Sequence, residues 1–344
     1  MNLALAPRAS MRDFQLGDLA TERGEVLTDA RLRYRILGDV DAAQENGWIL
    51  VFHALTGNAD VEAWWGPLVG PGRALDTSRH AILSTNLLGG CSGSTGPIPW
   101  QSAHRRPFPR LSSLDLARAH VPLLTDLGVR RLALVTGGSL GGMVTLQWGR
   151  ISPVPVDRLV VFAAPAATSA QAIAWNAAQR MAIEADPAWR GGSYPEGEGP
   201  TAGLAAARAI AMITYRSPGE FAERFGRTST RTSGRFDADH YLRRQGDKLV
   251  ARFDAASYVA LMDAMDLHDV GDPAQAARAT AERVGEIVGV GVDSDILYDP
   301  AEVRDWVAAY RGAGANARYI EIASLYGHDA FLIEWDQVTA ILRP

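Results

Sequence analysis

The sequence predicts an α/β fold in which a mostly parallel sheet is flanked by helices and a mainly helical segment interrupts the strands. Three observations carry this. Short, continuous apolar runs recur along the chain, the pattern of strands buried on both faces. Helix-like stretches with start and stop signals separate several of these runs. The stretch from about 165 to 280 is different: it has few strand-like runs and is rich in Ala, Arg and helix-like patterns.

In chain order, GEVLTDARLRYRIL (24–37) reads as a hairpin of two short runs around a Thr-Asp turn. WILVF (48–52), HAILS (80–84), LALVT (132–136), RLVVFA (158–163), GEIVGVGV (285–292) and ARYIEI (317–322) read as strands. SLDLARAHVPLLTDLGV (113–129) predicts a helix with Ser113 as its N-cap and Gly128 at its close. PAEVRDWVAAYRGAG (300–314) carries Pro near its start and Gly at its end, the usual helix asymmetry. QAIAWNAAQRMAIEA, GLAAARAIAMITY, SPGEFAERF and ASYVALMDAMDL supply the helices of the interrupting segment, and GGSYPEGEGPTAG (191–203) is a loop by composition. The expected division is a core domain of residues 1–164 and 281–344, with a helical lid domain over 165–280.

Bulk properties narrow the function. The 344 residues are 47% hydrophobic, ample for a sizeable core. A net charge of -5 without a long basic stripe argues against a nucleic-acid partner. Cys91 is the one cysteine, so neither an intrachain disulfide nor a thiolate metal cluster can form. MNLALAPRASMRDF does not read as a signal peptide, and no stretch approaches the ~20 apolar residues of a membrane span. A soluble, cytoplasmic protein with no membrane partner and no metal is expected.

The chemistry centres on LVTGGSLGGM (134–143). Gly137-Gly138-Ser139-Leu140-Gly141 is G-x-S-x-G, after a predicted strand and before a helical segment, the context of a nucleophile elbow. A dinucleotide loop would need glycine where Ser139 stands, and a phosphate-binding P-loop would need a lysine that is absent. A triad in the order Ser, acid, His can be completed downstream. DSDILYDP offers Asp293, Asp295 and Asp299, and ASLYGHDAF offers His328. Both stretches lie beyond the carboxyl ends of predicted strands, where open α/β sheets place their sites. His53 precedes the serine, and His80, His104, His120, His240 and His268 read as surface or packing residues. Two backbone N–H groups are needed for an oxyanion hole. Leu140, next to the nucleophile, supplies one, and Leu55, in HALTGNAD after an early strand, is the candidate for the other.

These stretches, with WWGPLVGPGRALDT, NLLGGCSGSTGP, ARAIAMITYRS, RFDAASYVALMDAMDLHDVG and YGHDAFLIE, resemble the homoserine O-acetyltransferase family in register from residue 53 to 334. The resemblance implies an α/β-hydrolase fold and a ping-pong reaction in methionine biosynthesis. Ser139 would take the acetyl group from acetyl-CoA, with His328 as base and Asp295 orienting it, and pass it to the hydroxyl of L-homoserine. It also implies that Arg208, Tyr215 and Asp329 read homoserine, that no cofactor is permanently bound, and that the protein is a homodimer built through the lid. Arg208 and Tyr215, seven apart, would share one helix face. Arginine suits a carboxylate and Asp329 an ammonium. The chain departs from the family pattern at Leu140, usually methionine, at Ala256, often asparagine, and in TGNAD. Relatives that use succinyl-CoA or acylate serine, and hydrolases of the same fold, share the triad. An intact triad argues against a non-catalytic binding protein. HRRPFPR (104–110) and RFGRTSTRTSGR (224–235) read as solvated loops rather than CoA-phosphate sites, and Cys91 as a small packed residue.

Overall fold

The computed structural model describes residues 10–230 and 234–343. Eight strands form one sheet: β1 (Arg12–Ala20), β2 (Val26–Gly38), β3 (Trp48–Phe52), β4 (Ala81–Thr85), β5 (Leu132–Gly138), β6 (Val156–Phe162), β7 (Val284–Val292) and β8 (Ala317–Ile322). Their order is β1-β2-β4-β3-β5-β6-β7-β8. β2 pairs antiparallel with β1 and with β4, while β4, β3 and β5 to β8 run parallel. Parallel strands release their following loops at one edge, so the loops after β3, β5, β7 and β8 gather there.

β3 shows why the apolar runs are continuous. All five residues are buried, and they alternate between two cores. Trp48, Leu50 and Phe52 join one hydrophobic cluster, Ile49 and Val51 the other. A strand with helices on both faces has no solvent side on which to place polar residues.

The hairpin expected over 24–37 is a correction. Residues 26–38 form the single long strand β2, and its hairpin partner is β1, which sequence reading did not identify. Asp29 has a positive φ of 54°, so the Thr-Asp pair is a local irregularity inside the strand rather than a turn. The helix expected over 113–129 is two short helices, Ser113–Arg118 and His120–Asp126, with Pro122 near the start of the second. Its cap is Ser112, not Ser113: the Ser112 side chain accepts from the Asp115 N–H and Asp115 reaches back to the Ser112 N–H. Such a capping box satisfies two otherwise free donors.

Between β6 and β7 the elements are helical: Ala170–Glu184, Thr201–Tyr215, Pro218–Phe225, Asp237–Val250, Ala255–Asp266 and Pro273–Ala281, with a short 3-10 turn at Pro187–Gly192. The last of these lies on the sheet-flanking layer, where Thr280 packs against Gly149 of the helix Leu140–Ile151. Among the described residues, no helix is long and apolar enough to cross a membrane.

Candidate active site

Ser139 sits between the last residue of β5 and the first residue of the helix Leu140–Ile151. Its backbone is strained, with φ 57° and ψ -125°. Neighbouring glycines make that turn possible. A Cβ on Gly137 would lie 2.7 Å from the Phe52 carbonyl oxygen, and one on Gly141 would lie 2.9 Å from that of His53. These close approaches press the turn against the end of β3. The Ser139 N–H donates to the Phe162 carbonyl at 3.0 Å, and the Met143 N–H donates to the Ser139 carbonyl at 2.9 Å. The serine is therefore held by its backbone, and its side chain stands at the amino end of a twelve-residue helix, where developing negative charge is favoured.

Asp295 follows β7 and His328 follows β8. The His328 ring donates from Nδ1 to Asp295 Oδ2 at 2.7 Å. The other carboxylate oxygen accepts from the N–H groups of Leu297, at 2.8 Å, and Tyr298, at 3.1 Å. The competing aspartates are used elsewhere. Asp293 accepts from the Ser324 N–H, and Asp299 caps the helix Pro300–Gly312. With Nδ1 engaged, His328 keeps its basic lone pair on Nε2, which is buried and has no hydrogen-bond partner among the described residues. Burial opposes protonation of His328, but the charge and hydrogen bond of Asp295, with Asp329 beside it, outweigh burial and raise its pKa above 6.5.

Phe331 joins this loop to the serine turn. Its ring lies 2.6 Å from where a Cβ on Gly138 would be, and its centroid is 5.8 Å from that of His328. Tyr298 packs edge-on to His328 from the other direction, at 5.2 Å. Both Ser139 and His328 are buried, 5% and 2% exposed.

Arg208 and Tyr215 share a face of the helix Thr201–Tyr215. The Arg208 guanidinium lies 5.3 Å from the Tyr215 ring centroid, and the Tyr215 ring lies 5.7 Å from that of His328. Burial raises the Tyr215 pKa, Arg208 acts against this, and Asp329 adds to it. Tyr215 and Asp329 thus stand beside His328, with Arg208 on the Tyr215 ring. Half-buried Arg208 makes no hydrogen bond or ion pair among the described residues, so its charge is free for an anion.

Sequence reading missed Arg216, which holds Asp329 at 3.2 Å and Glu220 at 3.2 Å. Its one available signal was its place next to Tyr215. The same junction grips the histidine loop: Ser217 Oγ donates to the Leu325 carbonyl, and a Cβ on Gly327 would meet the Tyr215 carbonyl oxygen at 3.0 Å. Leu140 opens its helix, which leaves its N–H among the first-turn donors without a helical acceptor. Leu55 is buried in the loop after β3.

His120 and His268 are packing residues, each with burial lowering its pKa to about 4. Cys91 is a correction: it is exposed rather than packed. Desolvation by its surroundings still pushes its thiol pKa up, against a nucleophilic role. Arg105, Arg106 and Arg110 line a separate cavity of about 470 Å³ with Phe108 and Trp189, and Arg110 pairs with Asp263 at 3.1 Å. In the other cluster, Arg224 pairs with Glu220 and Arg235 with Asp239. Arg231 lies outside the described residues.

Residues 47–259 match the family model described as alpha/beta hydrolase fold. A homoserine O-acetyltransferase from Moorella thermoacetica is 42% identical, over 95% of this chain and 92% of the relative. Two solved structures share the fold. A homoserine O-acetyltransferase from Bacillus anthracis superposes with a TM-score of 0.87 at 22% identity, covering 98% of this chain and 99% of the other. Esterase E22 superposes with a TM-score of 0.88 at 20% identity, covering 97% and 99%. Fold alone therefore accommodates both transfer and hydrolysis, and identity over nearly the whole chain is what separates them: the chain belongs to the homoserine O-acetyltransferase family and carries the α/β-hydrolase fold.

Proposed function

We propose that this protein transfers an acetyl group from acetyl-CoA to the hydroxyl of L-homoserine through an acetyl-Ser139 intermediate. The observation that carries the reading is the company of the His328–Asp295 pair. Asp329 and Tyr215 stand beside that imidazole, and over the Tyr215 ring lies Arg208, which has no hydrogen-bond or ion-pair partner among the described residues, a set that suits an acceptor bearing both carboxylate and ammonium.

His328 Nε2 takes the Ser139 proton as Oγ attacks the thioester carbonyl. The oxyanion is received by the N–H groups of Leu140 and Leu55, and CoA leaves as the thiol after accepting that proton. Homoserine then enters with its carboxylate on Arg208, Tyr215 beside it, and its ammonium on Asp329. Its hydroxyl loses a proton to His328 and attacks the acetyl-serine through the same oxyanion site; the Ser139 ester bond then breaks and Ser139 Oγ takes the proton back from His328, releasing O-acetylhomoserine. Asp295 keeps Nδ1 protonated and stabilises the imidazolium formed in each half-reaction.

In this reading residues 1–164 and 281–344 are the core and 165–280 form the lid, although the helix Pro273–Ala281 packs with the core. A homodimer through the lid is supported by exposed apolar side chains there, Ile173, Ile213 and Met181, the last 68% exposed. Met181→Asp should then shift the protein toward monomer in analytical ultracentrifugation. A biosynthetic role of this kind fits a cytoplasmic protein.

The test follows free thiol and O-acetylhomoserine with acetyl-CoA, with and without homoserine. Thiol release that stops at about one equivalent per Ser139 without homoserine, and with it continues in step with O-acetylhomoserine formation, supports the reading. Release that ignores homoserine and yields acetate makes the protein a hydrolase. Parallel assays with succinyl-CoA and with serine fix the donor and acceptor.

A further inference from the structure

We infer that Arg252 is a positioning residue through which the helical insertion sets the oxyanion loop for both half-reactions. This rests on the reading of Leu55 as an oxyanion donor.

The loop after β3 is a tight turn, in which the Gly57 N–H donates to the Ala54 carbonyl at 2.8 Å. The same carbonyl receives a second donor. His53 Nε2 accepts the Leu87 N–H at 3.0 Å, so the ring proton is on Nδ1, which donates to Ala54 O at 2.8 Å. Burial lowers the His53 pKa to about 4, which keeps this ring neutral and the tautomer fixed at neutral pH. A trans peptide points its C=O and N–H in opposite directions. Two donors on the Ala54 carbonyl therefore fix the direction of the Leu55 N–H, opposite to that carbonyl. Further along, Ala59 is tied to the core on both sides, by Asn86 Oδ1 on its N–H at 2.7 Å and by Ser84 Oγ on its carbonyl at 2.6 Å.

The turn's Thr56 carbonyl is held from the insertion. Arg252 Nη1 donates to Thr56 O at 2.7 Å, with Nη2 3.4 Å from Thr56 Oγ1. Among the described residues this is the one hydrogen-bonded tie between the insertion and residues 53–60. Arg252 is also close enough to Arg208 for the two charges to repel. Desolvation lowers the Arg252 pKa most, and Arg208 lowers it further. One guanidinium of this neighbouring pair is spent on the loop, and the other, over the Tyr215 ring, has no hydrogen-bond or ion-pair partner among the described residues. A residue that fixes the oxyanion turn must affect every step that passes through a tetrahedral oxyanion. A residue that grips the acceptor must affect one step.

The experiment measures Ser139 acetylation in single turnover and acetyl transfer to homoserine separately, in wild type, Arg252→Ala, Arg252→Lys and Arg208→Ala. p-Nitrophenyl acetate serves as a second acyl donor. Removal of one oxyanion donor costs about 10²–10³ in rate, so loosening its turn should cost roughly 10-fold or more. Arg252→Ala should slow acetylation by either donor and transfer by similar factors of that size, with the homoserine KM within about two-fold of wild type. Lysine, which can still donate to Thr56 O, should restore much of the loss, and thermal melting should show a folded protein throughout. Unchanged rates in Arg252→Ala would overturn the inference. So would a raised homoserine KM with normal acetylation, which would place Arg252 on the substrate instead. Because the ester reports on the turn without acetyl-CoA or homoserine, an error in the proposed substrates leaves this comparison readable.

Discussion

The two sides of the His328 imidazole are built differently. On the Asp295 side the carboxylate's interactions are already made: one oxygen takes two backbone N–H groups and the other takes His328 Nδ1. All of these partners come from loops at the edge of the sheet. On the other side stand Arg208 and Tyr215, carried by the insertion, with Asp329 beside them. There Arg208 has no charged or hydrogen-bonded partner among the described residues, and Asp329 shares its charge with Arg216. The difference separates two tasks. Proton transfer is fastest when nothing must rearrange, so its groups are satisfied in advance. Selection needs charge that only the correct acceptor satisfies, so its groups are left wanting.

Substitutions on the prebuilt side should be the most damaging. Ser139→Ala should reduce acetyl transfer by on the order of 10⁶-fold, and mass spectrometry after mixing with acetyl-CoA should find no acetylated protein. Acetylation persisting on the variant would move the nucleophile elsewhere and dissolve the contrast.

Asp295→Asn keeps the shape but removes the charge. Transfer should fall about 10⁴-fold, as expected when the imidazole loses its orienting carboxylate. The pH profile adds a sign. His328 acts as a base only when neutral, and its pKa is raised above 6.5 by Asp295 against the opposing effect of burial. Wild-type activity should therefore rise with pH through a limb above 6.5. In the asparagine variant burial is no longer outweighed, so that limb should move to lower pH. A limb that stays in place would mean another group sets it.

On the selective side, Arg208→Ala should raise the homoserine KM by roughly 10- to 100-fold, the ~1.5–3 kcal/mol of a hydrogen bond to a charged group, and leave Ser139 acetylation near wild type. Steady-state kinetics with varied homoserine, beside single-turnover acetylation, reads both. Equal damage to the two half-reactions would erase the division of labour.

The same division explains what was legible in the sequence. Glycines around Ser139 could be read because the turn tolerates nothing larger at Gly137 and Gly141. Continuous apolar runs such as β3 could be read because both faces are covered. β1 could not: its residues are mostly exposed and its pairing with β2 shifts register twice, so no apolar pattern marks it. The choice of Asp295 over Asp293 and Asp299 was open in the residues alone. Three aspartates within seven positions have the same chemistry, and their backbone partners come from the folded loop. Arg216 and Arg252 were invisible for a related reason. Each acts on a segment far away in sequence, Asp329 and Thr56, and each lies just past a helix end, where an arginine ordinarily reads as solvated.

The smallest expected effect tests whether the prebuilt side extends beyond Asp295. Tyr298 is buried against His328, yet its hydroxyl has no hydrogen-bond partner among the described residues. Burial first, then the nearby Tyr215 and Asp295, push its pKa well up, so the phenol stays neutral, able to donate or accept one hydrogen bond that it does not make here. An unmade hydrogen bond at a buried hydroxyl costs about 1–3 kcal/mol, and phenylalanine removes that cost while keeping the ring against the imidazole. Tyr298→Phe should therefore melt at or slightly above the wild-type temperature and keep its acetylation rate within about two-fold. A rate loss of ten-fold or more, with the melting temperature unchanged, would show that the hydroxyl finds its partner only in the reacting complex. The imidazole would then be attended by a third group, and its two sides would no longer divide cleanly into one that is finished and one that waits.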